Sequence, residues 1–301
     1  MKPAPQPQPT VLPRSFLYVP ADQPHLFPKA AIGPADALIF DLEDAVPLGR
    51  KELARQELRI WLTGRATPHA ADSRPQPQYW VRINSASIST DLGAILTPSL
   101  HGIFLAKCSP EGLQQTSEAL TALEQRNGIP PGRIGVIALV EDAAAIAHLD
   151  TMARCDRLVT FAVGEVDLMA DLRMTRGEHS EPALDSLRLR IVLSCAAAGL
   201  APPVAPTSTD IQARAGFEAS SRKMHALGFR SRTAVHPSQL EIIHGVFTPS
   251  TEEVLEAQDI VDRFNQAQAG ITLDAQGRMI DAAVVRGAEE TLLREQARRA
   301  R

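Results

Sequence analysis

The chain has 301 residues, 44% of them hydrophobic, and a formal net charge of −4. That is enough apolar material for one large core or two domains, and a mildly acidic chain with no basic tract before its last few residues argues against a nucleic-acid partner. No stretch is long and apolar enough to span a membrane. The three cysteines, Cys108, Cys155 and Cys195, are too widely spaced for a zinc or disulfide pattern, which fits a reduced, cytoplasmic setting.

Met1 to Pro13 alternates proline with glutamine and alanine and reads as a disordered extension without a signal core. Arg14 to Pro20 is the first predicted strand, followed by a short helix from Asp22 to Ala31. Ala37 to Asp41 is the second strand and runs into Glu43 and Asp44, a carboxylate cluster that needs solvent or partners. An amphipathic helix over Lys51 to Thr63 and a Pro-rich loop from Pro68 to Gln78 follow. Tyr79 to Ile83, with Arg82 inside it, is the third strand. A short helix over Asp91 to Leu96 leads to the fourth strand, Gly102 to Ala106, which ends on Lys107. Ser109-Pro110 then opens a helix reaching Asn127.

Ile134 to Val140 is a continuous apolar run that stops on Glu141, as expected of a central parallel strand buried on both faces. One unit later Leu158 to Gly164 repeats the pattern and delivers Glu165 and Asp167. Helices are predicted just after Asp167 and over Pro182 to Gly199. Pro203 to Pro206 is a weak seventh strand, doubtful because proline cannot donate to a ladder. Ala213 to Leu227 is a helix, Arg232 to His236 the eighth strand, and Thr251 to Ala267 a long helix. Gly270 to Ile280 reads as a hairpin, and Ala282 opens a terminal helix.

Strands alternating with helices imply a parallel sheet, and eight such units in about 250 residues match a closed (β/α)8 barrel. An open doubly wound sheet is the alternative, but no Gly-x-Gly-x-x-Gly turn follows the first strand. The barrel is expected over 14–268, with a C-terminal segment over 269–301. In a barrel the strand ends form the working face. Here they carry Asp41, Glu43, Arg82, Lys107, Glu141, Asp167, Thr207 and His236. Glu141 and Asp167, on neighbouring strand ends, suit a hard divalent cation such as Mg²⁺. They also suit simple capping of the helices that follow. Arg82 is either a substrate contact or an internal partner of Asp41 or Asp44. Lys107 is a candidate for Schiff-base chemistry. His236, before Pro237, reads as structural.

Taken together, Arg14-Ser-Phe-Leu-Tyr-Val-Pro20, Asp41-Leu-Glu-Asp-Ala-Val46, Val81-Arg-Ile-Asn84, Ala138-Leu-Val-Glu141, Gly164-Glu-Val-Asp-Leu168, Val235-His-Pro237 and Gly277-Arg-Met-Ile-Asp281 resemble, in order and spacing, the citrate lyase β-subunit-like lyases of the HpcH/HpaI aldolase superfamily. These include malyl-CoA and citramalyl-CoA lyases. The resemblance implies a TIM barrel whose C-terminal segment packs on a neighbouring subunit of a homo-oligomer, a trimer or hexamer. It implies Mg²⁺ held by Glu141 and Asp167, and Arg82 beside the substrate. It further implies Asp281 as an acid/base from the next chain, and coenzyme A contacts at Arg14 and Lys29. The partners would be an acyl-CoA and a 2-oxo acid. Departures occur at Asp142-Ala143-Ala144, at Ala106 before Lys107 and at Arg173, so substrate choice stays open. The rival functions are a lyase β subunit acting on a carrier-bound thioester and a non-catalytic acyl-CoA-binding protein. Asp281 also has a bland reading as the N-cap of the terminal helix.

Overall fold

The computed structural model describes residues 11–65, 76–267 and 270–300. The expected N-terminal extension up to residue 10, and the expected Pro-rich loop over residues 68–75, lie outside the described residues. Eight strands form the barrel: β1 (Ser15–Pro20), β2 (Ala37–Asp41), β3 (Gln78–Asn84), β4 (Leu100–Ala106), β5 (Gly135–Val140), β6 (Leu158–Val163), β7 (Val204–Ala205) and β8 (Ser231–Ala234). Each pairs in parallel with the next, and β8 returns to β1 through Phe16 opposite Thr233, which closes the sheet. The predicted (β/α)8 barrel is the observed one.

The intervening helices are α1 (Phe27–Ala31), α2 (Lys51–Gly64), α3 (Ile88–Ile95), α4 (Pro110–Arg126), α5 (Ala143–Ala147), α6 (Leu149–Met152), α7 (Glu165–Asp171), α8 (Glu181–Ala198), α9 (Arg214–Leu227) and α10 (Leu240–Phe247). Their ends follow from local chemistry. Ser109 Oγ accepts from Gly112 N to start α4, and Pro110 supplies a preset φ in its first turn. Gly199 and Gly228 stop α8 and α9 in the left-handed conformation that side-chain-bearing residues resist. The helix expected over 22–31 splits into a 3₁₀ turn (Pro24–Leu26) and the short α1, because Pro24 and Pro28 remove two amide donors.

β7 is two residues long, and the prolines on either side of it, Pro203 and Pro206, explain why. Side chains replace the missing ladder. Thr160 Oγ1 donates to Ala201 O, and the buried Arg232 donates Nε to Pro206 O and Nη1 to Ser221 Oγ. Inside the barrel, Phe16, Trp80 and Phe104 meet edge to face at centroid distances of 5.8, 5.4 and 5.7 Å. Ile39, Ile137 and Leu139 belong to the same core cluster.

Contacts divide the chain into two compact units, Met1–Ile243 and His244–Arg301. In the second, α11 (Thr251–Gln266) packs against α12 (Ala282–Arg299), so the chain from residue 244 groups with the terminal helix. Between them β9 (Thr272–Leu273) and β10 (Met279–Ile280) form the expected hairpin. Ser250 and Glu253 build a reciprocal capping box at the start of α11.

The aromatic layer places one sharp steric demand on the backbone. A Cβ on Gly102 would stand 2.2 Å from a Trp80 ring carbon. Gly102→Ala should therefore cost about 1–3 kcal/mol, the range for overpacking a core. Chemical denaturation with the midpoint followed by Trp fluorescence measures it, and an unchanged midpoint would contradict this packing.

Candidate active site

At the C-terminal ends of the strands a cavity of ≈ 370 Å³ opens, with Tyr18, Arg82, Glu141, Asp167 and Thr207 among its walls. This is where barrel folds present chemistry. Glu141 directly follows β5 and is 4% exposed. Its Oε1 accepts a short bond from the backbone N–H of Lys107, the residue after β4. Lys107 reaches that geometry at φ 48°, in the left-handed region. Gly164, between β6 and α7, makes room on the other side. A Cβ there would lie 2.6 Å from Glu141 Cβ and 2.9 Å from its Oε2. Asp167, in the first turn of α7, is an exposed wall residue of the same cavity.

Arg82 lies within β3 and is committed on one side. Its Nε donates to Asp41 Oδ1 at 2.7 Å, its Nη2 to Asp41 Oδ2 at 2.5 Å, and its Nη1 lies 3.2 Å from Glu43 Oε2. Its guanidinium also stacks over the Tyr18 ring at 5.1 Å. Asp41 is further fixed by accepting from Glu43 N and Ala45 N. The predicted carboxylate cluster after β2 is thus paired through Arg82, with Asp41 and Glu43 as the partners.

Electrostatics follow from this crowding. Burial pushes the Glu141 carboxyl up to about 7, and the charges of Glu43 and Asp167 add to the push, against the Lys107 N–H and Arg82. Glu43 is raised by burial as well. Burial disfavours the charge on Arg82, yet its bonds to Asp41 carry it above its ordinary range. Burial holds the Tyr18 phenol protonated far above its usual value. Lys107 Nζ lies 3.4 Å from Glu43 Oε1, and that carboxylate raises its pKa. A lysine kept protonated is a poor nucleophile, so the Schiff-base reading of Lys107 is not supported.

The cavity's donor set fits a divalent cation. The carboxylates lining the cavity are Asp41, Glu141, Glu165 and Asp167; Asp41 is paired with Arg82 and Glu165 with Arg176 and Arg188, and among the described residues Glu141 and Asp167 form no ion pair. Among the described residues no group of three or more His, Cys, Asp and Glu side chains is arranged to hold a metal. Glu141 and Asp167 are the acids on this cavity without such a pairing, and oxygen ligands of this kind suit Mg²⁺.

Arg14 precedes β1 at the N-terminal rim, where its backbone N–H and guanidinium are tied to Asp36. Because the strands are parallel, that rim is the opposite end of the barrel from the cavity. Lys29 is exposed on α1, just past the C-terminal end of β1. Asp281 belongs to the C-terminal unit, where its Oδ1 accepts from Ala283 N and Val284 N and caps α12. Those two N–H groups hold its carboxyl below the usual range. Glu165 is bound by Arg176 and Arg188 rather than left for a ligand. His236 caps the turn at Pro237 through Nδ1, which accepts from Ser238 N.

Sequence reasoning missed Tyr18 and Gly164. The alternation of β1, with Phe16 inside, was the available signal for Tyr18, since both share one face of the strand.

The HpcH/HpaI aldolase/citrate lyase family model matches residues 14–237. Citrate lyase subunit beta of Escherichia coli (strain K12) is 27% identical over 293 residues, covering 93% of this chain and 92% of its own length. L-malyl-CoA/beta-methylmalyl-CoA lyase of Cereibacter sphaeroides is 30% identical over 317 residues, covering 96% and 95%. The crystal structure of protein CitE from Mycobacterium tuberculosis, in complex with magnesium, acetoacetate and coenzyme A, matches with a TM-score of 0.70 at 27% identity over 94% of this chain and 98% of that one. Fold, motif order and near-full-length similarity agree: the chain belongs to the HpcH/HpaI aldolase/citrate lyase family and is related to its lyases.

Proposed function

We propose that the chain is a Mg²⁺-dependent carbon–carbon lyase acting on a 3-hydroxyacyl-CoA such as malyl-CoA or citramalyl-CoA, which it cleaves to, or forms from, acetyl-CoA and a 2-oxo acid. The observation that carries this reading is the juxtaposition of Glu141, Asp167 and Arg82 on one cavity at the barrel's C-terminal mouth. Magnesium, acetoacetate and coenzyme A in the related CitE structure support it.

Glu141 and Asp167 would hold the metal, which supplies Lewis acidity and a template for the oxygens of the oxo-acid half. Arg82 has five N–H donors, three of its contacts already go to Asp41 and Glu43, and the others are available to a developing thioester enolate oxygen. Those carboxylates keep the guanidinium plane fixed before substrate arrives. Asp281 is the proposed acid/base toward the acetyl carbon, supplied by a neighbouring copy in a homo-oligomer. Its Oδ1 takes both cap bonds, which leaves Oδ2 for the proton. Lys29 is the proposed contact for coenzyme A.

A second reading follows from the similarity to citrate lyase subunit beta over 93% of the chain: a subunit that works on a carrier-bound thioester. Purified protein incubated with Mg²⁺ and free 3-hydroxyacyl-CoA esters, with products identified by mass, separates the two. Release of acetyl-CoA supports the stand-alone lyase, and inertness on every free ester removes it.

Glu141→Gln and Asp167→Asn should each lose Mg²⁺ affinity and most activity while remaining folded. Undiminished affinity by calorimetry in both would place the metal elsewhere. The wild-type affinity should also fall roughly tenfold per pH unit below about 7, because the Glu141 carboxyl must give up its proton to bind the cation, and should level off above that value. The sign for stability is opposite. A raised carboxyl pKa means the metal-free fold loses stability as pH rises from the ordinary carboxylate range to about 7.

Arg82→Lys keeps the charge and loses the planar fork. It should lower kcat roughly tenfold to a thousandfold. A raised KM with kcat unchanged would show that Arg82 contributes binding alone.

Asp281→Asn should bind Mg²⁺ and oxo acid but barely exchange the acetyl protons. Co-refolding it with Glu141→Gln should restore partial activity in mixed oligomers. No recovery, with hetero-oligomers confirmed by mass spectrometry, would place the action of Asp281 within its own chain or exclude it.

A further inference from the structure

Tyr18 lines the cavity, and the scheme above gives its hydroxyl nothing to do. The ring is well placed. Strand alternation puts Tyr18 on the same face of β1 as Phe16, and the ring packs on the core cluster that holds Phe16, Trp80 and Phe104. The Arg82 guanidinium lies over it, 5.1 Å from the centroid. The hydroxyl makes no hydrogen bond among the described residues, and its oxygen is not sealed off as Thr207 Oγ1 is. Thr209, a second wall hydroxyl without a partner, sits on an exposed residue where water serves it. Tyr18 is half-buried, so an acceptor for its proton has to arrive with a ligand.

The charges acting on the phenol are those of Arg82, Asp41, Glu141 and Glu43. The carboxylates among them are committed elsewhere. Asp41 accepts from Arg82 Nε and Nη2 and from the backbone of Glu43 and Ala45. Glu43 Oε2 accepts from Asp44 N and faces Arg82 Nη1, and Glu43 Oε1 faces Lys107 Nζ. Glu141 Oε1 holds Lys107 N, and its other oxygen belongs to the metal in the lyase reading. A fixed cation and a neutral donor thus stand together with no protein acceptor for the donor. That pairing complements an oxygen on which negative charge grows.

We propose that Tyr18 is a catalytic residue whose hydroxyl, beside Arg82, donates a hydrogen bond to the thioester oxygen as it becomes an enolate. The inference rests on the lyase reading and adds a second donor to the one assigned to Arg82. In the condensation direction Asp281 takes a proton from the acetyl carbon. The C–H electron pair becomes the C=C bond of the enolate, and the carbonyl π pair moves onto the thioester oxygen. Tyr18 keeps its own proton throughout, and its bond strengthens as that charge develops.

Tyr18→Phe removes one oxygen and keeps the ring, its packing and its contact with Arg82. With full-length protein, Mg²⁺ and the free 3-hydroxyacyl-CoA ester that wild type cleaves fastest, the variant should lower kcat roughly tenfold to a hundredfold and leave KM within about threefold. A second readout needs no turnover. Acetyl-CoA labelled with carbon-13 at the thioester carbonyl should show a lower carbonyl stretching frequency when bound to wild type than when bound to Tyr18→Phe. The ligand-free variant should melt at the wild-type temperature or above, since its hydroxyl has no partner to lose. A lower melting temperature would mark the hydroxyl as structural and overturn the proposal. Unchanged kcat with an unshifted carbonyl band would overturn it too, with the lyase reading intact, as would a raised KM at unchanged kcat. Wild type inert on every free ester would remove the stand-alone lyase reading and this proposal with it.

Discussion

Four carboxylates crowd one end of the barrel, and the ion pair between Arg82 and Asp41 makes that crowding tolerable. Both partners are largely buried, with side chains 13% and 3% exposed. Removing one member of such a pair strands the other charge, typically at about 3–5 kcal/mol. The pair also organises its surroundings. Asp41 turns the chain after β2 by accepting from Glu43 N and Ala45 N, which brings Glu43 back to Arg82 and Lys107. Once those charges are matched, Glu141 and Asp167 remain without a cationic partner of their own. Two acids side by side in a partly desolvated cavity, one of them with its carboxyl pushed up to about 7, form a site whose charged state a divalent cation would stabilise.

Environment, more than residue type, separates the carboxylates on the cavity from those locked into the scaffold. Glu124, on α4, is fully buried. Burial pushes its carboxyl up, yet the Arg157 guanidinium and the N–H groups of Ile134 and Gly132 hold it below its ordinary value. Glu141 is buried nearly as deeply and is raised instead, because its neighbours include two further acids and one backbone N–H is its clearest donor. Glu124 is locked in place by everything around it. Glu141 is supported on one oxygen and left with capacity on the other.

The barrel was legible in the sequence because its strands are apolar runs buried on both faces, as Gly135–Val140 shows, and because Gly or Ser marks helix ends at Ser109, Gly199 and Gly228. Even β7 was visible as a weak strand between prolines. The convergence of Glu141, Asp167 and Arg82 was legible too, since parallel strands deliver their last residues to one rim. Other features were not. Arg14 was legible as the start of the first strand, but its pairing with Asp36 joins residues 22 apart that no local pattern links. The commitment of Glu165 to Arg176 and Arg188 depends on side chains arriving from α8 and from the loop before it, contacts that no local pattern encodes. Asp281 shows a limit of another kind: an N-cap and a proton-transfer group need the same residue type at the same helix start, and periodicity cannot tell them apart.

The left-handed backbone at Lys107 makes the hold on Glu141 largely independent of side-chain identity. The bond to Glu141 Oε1 comes from the amide of residue 107, so any non-proline residue able to adopt φ near 48° keeps it. The conformation carries a penalty of about 1–2 kcal/mol for a residue with a Cβ, which glycine, or to a lesser degree asparagine, relieves. The lysine side chain answers a separate requirement, the pairing with Glu43. Sequence drift at this position would thus erode the charge balance of the mouth while leaving the orientation of Glu141 in place. Two properties that meet in one residue are free to evolve apart.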